Sequence, residues 1–416
     1  MNISEYLKPA GTVAFIVALG IGYYWFENRH RPEEKETPGE ALVVVTKSTN
    51  ACFSDLVRVT GFFVPRREAV VIAEQEGSRV TDLFVTEDRF TEGASRLLRN
   101  VGDLRFTDAT RDAELPSDII GMGVATADLN GDGVSDLFVG GSNRIFIGDG
   151  NGHFHEGPSS TFEWPVYGTE DDPAGVAVGD LNRDGRTDLV VGQHYGSTLD
   201  FDRRIPVRLY LNTGTDGAGD PQFRDVTAEA GLVGLPTKAP HVEVADFDSD
   251  GWPDILASAS LDGTTPVVFR NVGDPDHVRF EINGDPASAD YWPSGAVFDA
   301  DHDGRVDVVL TDFDADRPTR LLLNRTTAGH WIGLLAEQGS VVRAYRAGHA
   351  GEQPSLLGSA IVEVASGFGG WSPAAAWLGL GAVDRVDLTV DRAGSPTVRL
   401  LGVRADGLYR AGCARR

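Results

Sequence analysis

A nine-residue loop rich in carboxylates occurs four times in this sequence, at residues 128–136, 180–188, 246–254 and 299–307. Each copy has an aspartate or asparagine at positions one, three and five, a glycine at position six and an aspartate at position nine. Short loops that place oxygen ligands at alternate positions wrap around Ca²⁺, and the main-chain carbonyl of position seven supplies a further oxygen. The pattern therefore predicts calcium sites, one in each loop. The predicted ligands are Asp128, Asn130, Asp132, Val134 and Asp136; Asp180, Asn182, Asp184, Arg186 and Asp188; Asp246, Asp248, Asp250, Trp252 and Asp254; and Asp299, Asp301, Asp303, Arg305 and Asp307.

Metal-free acidic turns and EF-hands are the two alternatives to calcium loops that join strands. Asp, Asn and Gly also form ordinary turns without a metal, but four turns in one register need a further cause, because so many carboxylates repel one another without a cation. An EF-hand requires a bidentate glutamate at position twelve and a helix on each side of the loop. Position twelve is apolar in all four copies: Val139, Val191, Ala257 and Leu310. Calcium loops that join strands are therefore favoured over acidic turns and over EF-hands.

Each loop is followed by the same succession of apolar runs. The first run is short and continuous, as is typical of a buried strand. A second run follows, and an asparagine ends it in the last three units, at Asn212, Asn271 and Asn324. Units of roughly 50 to 70 residues with several strands each predict an all-β fold whose sheets repeat radially as the blades of a β-propeller. The paired runs are 137–139 and 144–147, 189–191 and 208–211, 255–257 and 267–270, and 308–310 and 320–323, and Phe154, Phe223 and Phe280 follow three of them.

The loops, the apolar runs and the segment 223–232 resemble the FG-GAP/VCBS repeats of integrin-α-type propellers. The resemblance covers residues 96–325. It implies a calcium-stabilised propeller that serves adhesion or ligand binding, in which the loops are metal sites and not a catalytic site. The segment 82–110 reads as the last part of a further blade without a calcium loop. Closure of the ring is therefore expected to need strands from 41–81 or from the C-terminal part.

A different pattern follows the last repeat and predicts a small β domain over residues 326–410, with a strand at 386–390. Trp331, Trp371 and Trp377 could line a ligand surface there, although packing in a core or between domains is the favoured interpretation. The stretches that resemble the ASPIC/UnbV domain, which follows such repeats in the cartilage acidic protein family, are 330–335, 358–359, 366–370 and 378–381.

The N-terminal part predicts a membrane anchor. Residues 9–26 are mostly apolar and end in aromatic residues suited to a membrane interface. They follow a short cytoplasmic tail, 1–8, and precede a charged linker, 27–40. An uncleaved signal anchor is favoured over a removed signal peptide, because no small-residue cleavage site follows the apolar stretch.

The distribution of basic residues and the availability of calcium predict opposite orientations for this anchor. Basic residues are more numerous after the apolar stretch than before it, which by the positive-inside rule would leave the rest of the chain in the cytoplasm. Export is nevertheless favoured, because calcium loops of moderate affinity fill where calcium is abundant. The chain is thus predicted to be a single-pass protein of the bacterial inner membrane, with its bulk in the periplasm or the extracellular space.

Residues 41–95 alternate as short strands. Within them, 57–71 and 76–80 resemble the start of HlyD-type membrane fusion proteins, which are periplasmic adaptors of export pumps held by one N-terminal helix. The resemblance implies the same membrane topology. It also makes an export pump a candidate partner.

The length, the net charge and the number of cysteines limit the classes of protein to which this chain can belong. A chain of 416 residues is long enough for two or three domains. The net charge of −25 argues against nucleic acid as a partner, which would need a basic face. The two cysteines, Cys52 and Cys413, are too few for a zinc site or a disulfide framework, and free thiols are favoured over a single bridge.

No catalytic motif stands out in the sequence. It contains no nucleophile elbow, phosphate loop or His-Glu-x-x-His motif. Solvated loop residues are the favoured interpretation of His153, His155, His194, His241 and His302. A non-enzymatic module that binds a protein or a glycan is therefore the favoured function. A periplasmic export-pump adaptor is the alternative, and a hydrolase or lyase on a propeller frame is a third hypothesis.

Overall fold

The computed structural model describes the chain from Glu68 onward, with internal gaps. The predicted tail, membrane anchor and charged linker lie outside the described residues, as do both cysteines and Trp371. Within the described ranges, no helix is long and apolar enough to cross a membrane. The described residues are 68–73, 80–87, 94–102, 105–163, 172–194, 205–261, 263, 265–274, 277–312, 314, 316–326, 329–362, 373–392 and 395–411.

Among these residues, 27 strands form seven sheets, so the predicted all-β class is confirmed. The first five sheets follow one another along the chain, and their strands pair antiparallel. Sheet 1 contains β1 (Glu68–Ala73), β2 (Val80–Thr86), β3 (Arg96–Gly102) and β4 (Arg105–Asp108); sheet 2 contains β5 (Gly121–Ala127), β6 (Asp136–Gly141), β7 (Arg144–Gly148) and β8 (Phe154–Glu156); sheet 3 contains β9 (Asp172–Gly179), β10 (Asp188–His194), β11 (Val207–Thr215) and β12 (Pro221–Asp225). Sheet 4 contains β13 (Val242–Ala245), β14 (Asp254–Leu261), β15 (Thr265–Asn271), β16 (Phe280–Ile282) and β17 (Ala289–Tyr291), and sheet 5 contains β18 (Ser294–Phe298), β19 (Asp307–Thr311) and β20 (Arg320–Leu322).

Sheets 2 to 5 share one plan, in which the acidic loop joins the first strand to the second. The second strands are β6, β10, β14 and β19, and they contain the continuous apolar runs of the sequence. All eight residues of β14 are buried. Continuous apolar runs are what a strand needs when both faces of its sheet are covered. The predicted strand after each loop is therefore confirmed.

The sheets stack face to face through apolar clusters. Sheets 2 and 3 meet around Phe162, whose ring centroid lies 4.9 Å from that of Phe138 and 5.0 Å from that of Tyr210, both in edge-to-face geometry. Similar clusters join sheet 1 to sheet 2, sheet 3 to sheet 4 and sheet 4 to sheet 5. The described residues thus form a continuous stack of five sheets. They do not show the stack closing into a ring.

Sheet 1 extends further towards the N-terminus than the predicted repeat region. The predicted boundary between residues 95 and 96 falls between β2 and β3, which pair through four residues from Asp82↔Arg99 to Val85↔Arg96. Strand β1, which lies in the predicted β segment 41–95, pairs with β2 in the same sheet. A domain boundary inside a hydrogen-bonded sheet would break its ladder. Among the described residues, the first of the five sheets therefore begins at Glu68.

Residues from 330 onward form a two-sheet β-sandwich, called the C-terminal sandwich below. An apolar cluster that includes Ile332, Val342 and Leu388 fills the space between its sheets. One strand of the sandwich, Arg385–Asp391, covers the strand predicted at 386–390. Sheet 6 contains β24 (Ala375–Gly381), β21 (His330–Leu335) and β27 (Gly407–Arg410), and sheet 7 contains β23 (Leu356–Ile361), β22 (Val341–Arg346), β25 (Arg385–Asp391) and β26 (Val398–Arg404).

Candidate metal sites

The four acidic loops have the same internal hydrogen bonds. In each loop, one oxygen of the first aspartate accepts a hydrogen bond from the main-chain N–H of the glycine at position six, at 2.9–3.1 Å. That glycine has a φ between +85° and +93° in every copy, a conformation that is costly for other residues. The loop therefore folds back on itself and holds the first carboxylate at its centre. The donor and acceptor pairs are Gly133 and Asp128, Gly185 and Asp180, Gly251 and Asp246, and Gly304 and Asp299.

The aspartate at position nine closes the loop from the other side. Its side chain is fully buried in all four copies. One of its oxygens accepts a hydrogen bond from the N–H of position two, at 2.8–2.9 Å. The other accepts from an N–H within or just after the third strand, at 2.7–2.9 Å. Each position-nine carboxylate thus ties its loop to its own sheet. The four residues are Asp136, Asp188, Asp254 and Asp307.

Carboxylate oxygens from positions one, three and nine converge in the third and fourth loops. In each set, one oxygen from each residue lies within 4.8 Å of the others. The first and second loops have an asparagine at position three, so they offer an amide oxygen in place of the third carboxylate. Oxygen clusters of this kind suit a hard divalent cation. The converging sets are Asp246, Asp248 and Asp254, and Asp299, Asp301 and Asp307.

Position five has a different environment from positions one, three and nine. Its carboxylate accepts a hydrogen bond from the N–H of position seven in every loop, at 2.7–3.0 Å. Asp184 also pairs with the side chain of Arg186, and Asp303 pairs with Arg305. In each loop, the position-seven residue therefore lies next to the position-five carboxylate and donates its main-chain N–H to it. The position-seven residues are Val134, Arg186, Trp252 and Arg305. In the second and fourth loops, a guanidinium group would compete with a bound cation for that carboxylate.

Burial raises the pKa of several of these carboxyls. It raises the pKa of Asp136 and Asp246 to about 7 and that of Asp180 to about 6, with a further contribution from neighbouring carboxylates. The pKa values of Asp188 and Asp254 are also raised well above the ordinary value, again mainly by burial. In addition, Oδ1 of Asp180 is buried without a hydrogen-bond partner. A buried oxygen without a donor is costly, and a cation in the loop would satisfy it. The residues present therefore fit a divalent cation.

These shifts predict that stabilisation by calcium depends on pH. Without a cation, the folded chain binds protons at Asp136, Asp180 and Asp246 more tightly than the unfolded chain does, so their contribution to stability is full below about pH 3.8 and is lost as the pH rises through about 6 to 7. A bound cation favours the ionised form and reverses this loss. We expect the rise in melting temperature caused by calcium to be small near pH 5 and to grow towards pH 8, in thermal unfolding of the full chain. A calcium effect as large at the lower pH as at the higher would contradict this prediction.

One asparagine connects each of the last three loops to the loop of the preceding sheet. The side-chain amide of Asn271 donates to the carbonyl of Leu181 in the second loop at 2.8 Å and to that of Pro253 in its own loop at 3.1 Å. Its main-chain N–H donates to Asp254 at 2.8 Å. Asn212 and Asn324 make the same three bonds in sheets 3 and 5. The four loops are therefore linked in series.

The sequence showed these asparagines but not their role. The equivalent position in sheet 2 is Gly148, whose N–H donates to Asp136 at 2.9 Å. Sheet 2 follows sheet 1, which carries none of the four acidic loops. The asparagine is thus present in the sheets whose preceding sheet carries an acidic loop. In sheet 2, whose preceding sheet carries none of the four loops, glycine stands in its place. This correlation was available in the sequence as the asparagine that ends the second run in only the last three units.

Replacing one of these asparagines should loosen the contact between sheets. Asn271→Ala removes the two hydrogen bonds that the side-chain amide donates and the one that its oxygen accepts from the N–H of Gly273 at 3.1 Å. It leaves two buried carbonyls without that donor, so we expect it to lower the free energy of unfolding by about 2–3 kcal/mol. The matched control is Asn151→Ala in the exposed turn of sheet 2, which should cost less than about 0.5 kcal/mol. Urea denaturation of the full chain measures both. Equal midpoints for the two variants would show that the asparagine does not stabilise the stack.

The histidines considered as candidates lie in different places. His153 contacts Asp149 at 3.1 Å, His155 contacts Asp220 at 2.8 Å and Nε2 of His194 lies 2.8 Å from Lys238. His241 is fully buried, with Nε2 3.2 Å from a carboxylate oxygen of Glu243, so it is not the solvated loop residue that the sequence favours. His302 occupies position four of the last loop, with a φ of +61°.

Comparison with known proteins gives the class of the repeats. A family model described as "FG-GAP-like repeat" matches residues 77–139, 140–191 and 246–310. The chain is also similar to cartilage acidic protein 1 of Homo sapiens, with 31% identity over 233 residues, which are 52% of this chain and 32% of that protein. The same protein of Xenopus tropicalis is 32% identical over 200 residues, which are 46% of this chain and 28% of that protein. Integrin alpha-7 of Homo sapiens is 35% identical over 97 residues, which are 23% of this chain and 8% of that protein.

The chain therefore contains an FG-GAP-like repeat domain, as its loops and apolar runs predict. It spans about a third or less of the length of the curated relatives it matches. The matched ranges begin at residue 77, which agrees with the inclusion of β2 in the first sheet. The predicted resemblances to ASPIC/UnbV domains and to membrane fusion proteins remain predictions.

Proposed function

We propose that this chain is a calcium-stabilised, non-enzymatic module that binds a protein or a glycan, and that its five stacked sheets are blades of a β-propeller. The observation that carries the proposal is the repetition of one loop, with one set of hydrogen bonds, in four successive sheets. The similarity to integrin alpha-7 and to cartilage acidic protein 1 supports it. In this proposal each loop holds one Ca²⁺ through the ligands that the sequence predicts.

The hydrogen bonds of the loops favour a structural role over acid–base chemistry. A general acid or base needs an oxygen that can reach the substrate. Both oxygens of Asp254 already accept main-chain N–H groups, and the side chain is fully buried. The position-nine carboxylates of the other loops are bonded in the same way. We therefore propose that the acidic clusters position cations between strands and take no part in catalysis.

Export and anchoring are part of the same proposal. The apolar segment 9–26 would hold the chain in the bacterial inner membrane, and the repeats would face the periplasm or the extracellular space, where calcium is abundant. The C-terminal sandwich would correspond to an ASPIC/UnbV-like domain. A reporter enzyme fused after Arg416 and active only outside the cytoplasm tests the orientation, and activity only inside the cytoplasm would overturn it.

A periplasmic adaptor of an export pump is the second candidate function. It rests on the resemblance of residues 57–80 to membrane fusion proteins. Strands β1 and β2, which include part of that stretch, pair with each other and continue into β3 of sheet 1. The repeat domain accounts for these strands without an adaptor. We therefore place the adaptor second to the binding module.

Calorimetric titration of the full chain with calcium tests the central proposal. We expect saturable binding whose stoichiometry falls by one site in Asp248→Ala, because that variant removes a converging carboxylate from the third loop alone. Magnesium in place of calcium should give weaker binding, since it prefers a tighter octahedral site and keeps its water. The absence of saturable heat at millimolar calcium would overturn the proposal.

A further inference from the structure

We propose that the metal loops are also the docking surface for the C-terminal sandwich, so that cation binding controls whether the sandwich stays attached to the repeat domain. This inference rests on the proposed function, because it assumes that the loops bind calcium. It adds an intramolecular partner for the loops.

The second loop contacts the sandwich through Arg183 at position four. The guanidinium group of Arg183 donates to the carbonyl of Leu356, and its own carbonyl accepts a hydrogen bond from the side chain of Gln353 at 2.7 Å. The guanidinium also lies over the ring of Trp252 in the third loop, 4.5 Å from the centroid. Arg343 of the sandwich donates to the carbonyl of Gly185 at 3.3 Å. Arg183 therefore connects two metal loops and the sandwich.

The third loop makes the closest approach. The N–H of Gly379 in β24 donates to Oδ2 of Asp246 at 2.9 Å, so the first carboxylate of this loop is bonded directly to the sandwich. A Cβ at Gly379 would collide with Ser249 of the loop, and a Cβ at Gly251 would collide with the carbonyl of Leu357. Main chain thus packs on main chain, which glycines alone permit.

The fourth loop lies against the tryptophans of the sandwich. The ring of Trp331 covers Gly304, where a Cβ would overlap it. Its centroid is 5.9 Å from that of Trp377, which packs on the apolar cluster between sheets 4 and 5. These two tryptophans therefore serve domain packing, the interpretation that the sequence favours for them.

The first loop differs from the other three. A side-chain hydrogen bond between its sheet and the sandwich joins Gln338 to Thr126, at 3.4 Å, and Thr126 lies in β5 and not in the loop. The loop itself approaches the sandwich at Ser135, where a Cβ on Gly339 would make only ordinary contact, 3.9 Å from Oγ. This difference provides an internal control. A cation in the first loop should have little effect on docking, whereas a cation in the third should have a large one.

The physical link between cation and docking is the position of the loop backbone. Asp246, Asp248 and Asp254 place oxygens within 4.8 Å of one another, and their ionised forms repel one another when no cation lies between them. Movement of the loop would break the hydrogen bond from Gly379 to Asp246. It would also separate the main-chain contacts at Gly379 and Gly251, which depend on close approach of the two backbones. A cavity of about 60 Å³ between β13 and the sandwich, lined in part by Glu243 and Trp377, shows that the interface is not filled like a core. Cation binding and docking should therefore strengthen each other reciprocally.

Hydrogen–deuterium exchange of the full chain tests the proposal. In calcium, we expect slow exchange for residues 353–358 and 375–381, and at least a tenfold faster exchange of the Gly379 amide after chelation. The interior strands β22 and β25 should keep their protection, because undocking leaves the sandwich folded. Asp248→Ala in calcium should behave like the chelated parent, whereas Asn130→Ala, at the same position of the first loop, should behave like the parent in calcium.

Two results would overturn the proposal. The first is an equal exchange rate of Gly379 with calcium and with chelator in a sample whose calcium binding is confirmed by calorimetry, which would leave the proposed function intact. The second is exchange of β22 and β25 in step with Gly379, which would indicate unfolding and not undocking. If calorimetry detects no calcium binding, the proposed function itself fails.

Discussion

Chelation of calcium is expected to lower the melting temperature of the full chain by more than any single substitution does. A ligand that binds only the folded state stabilises it by about 2.7 kcal/mol at a hundredfold excess over Kd. Several loops filled together should contribute roughly 5–10 kcal/mol, which corresponds to a shift of more than about 10 °C. Differential scanning calorimetry in calcium and in chelator measures the shift.

The control for this experiment is magnesium at the same concentration. Magnesium matches the ionic strength and the charge of calcium, so any effect of general screening appears in both. Magnesium requires near-ideal octahedral geometry and dehydrates reluctantly, and it should restore only part of the lost stability. Melting temperatures that are equal in calcium, magnesium and chelator would show that the four loops are acidic turns without a metal.

Asp254→Ala should destabilise the chain whether or not calcium is present. Asp254 is fully buried, and its two oxygens accept hydrogen bonds from Phe247 at 2.9 Å and from Asn271 at 2.8 Å. The alanine variant leaves both buried N–H donors without a partner, at about 1–3 kcal/mol each. We expect a loss of about 3–5 kcal/mol in calcium and a substantial loss in chelator as well.

Asp248→Ala is the matched control within the same loop. Asp248 shares the converging cluster with Asp254 but is only half-buried, and its carboxylate lies 3.5 Å from Arg270. Its removal should therefore cost stability in calcium, by about 2–3 kcal/mol, and little in chelator. Thermal unfolding of both variants under both conditions separates the two roles. If Asp254→Ala melts like the parent in chelator, the position-nine carboxylate does not hold the loop to its sheet.

Features that depend on short stretches of chain can be recognised in the sequence. The four loops, their glycines and the apolar strand after each loop are local patterns. A glycine at position six, with φ near +90°, is required by the turn itself, wherever the loop lies in the fold. The strand after each loop is recognisable because a strand covered on both faces is apolar at every position. The FG-GAP-like class follows from the same patterns.

Features that join distant parts of the chain become visible only in the folded protein. Asn271 follows an ordinary strand in the sequence, and only the stacking of sheets brings its amide to Leu181 in the preceding loop. Strand β1 belongs to sheet 1 because it pairs with β2, which in turn pairs with β3, a relation that alternation of apolar residues cannot reveal. The bond from Gly379 to Asp246 joins residues 133 positions apart. Such contacts depend on how sheets pack, whereas loop and strand patterns depend on the local chain. The acidic loops were therefore predictable, and their contacts with the C-terminal sandwich were not.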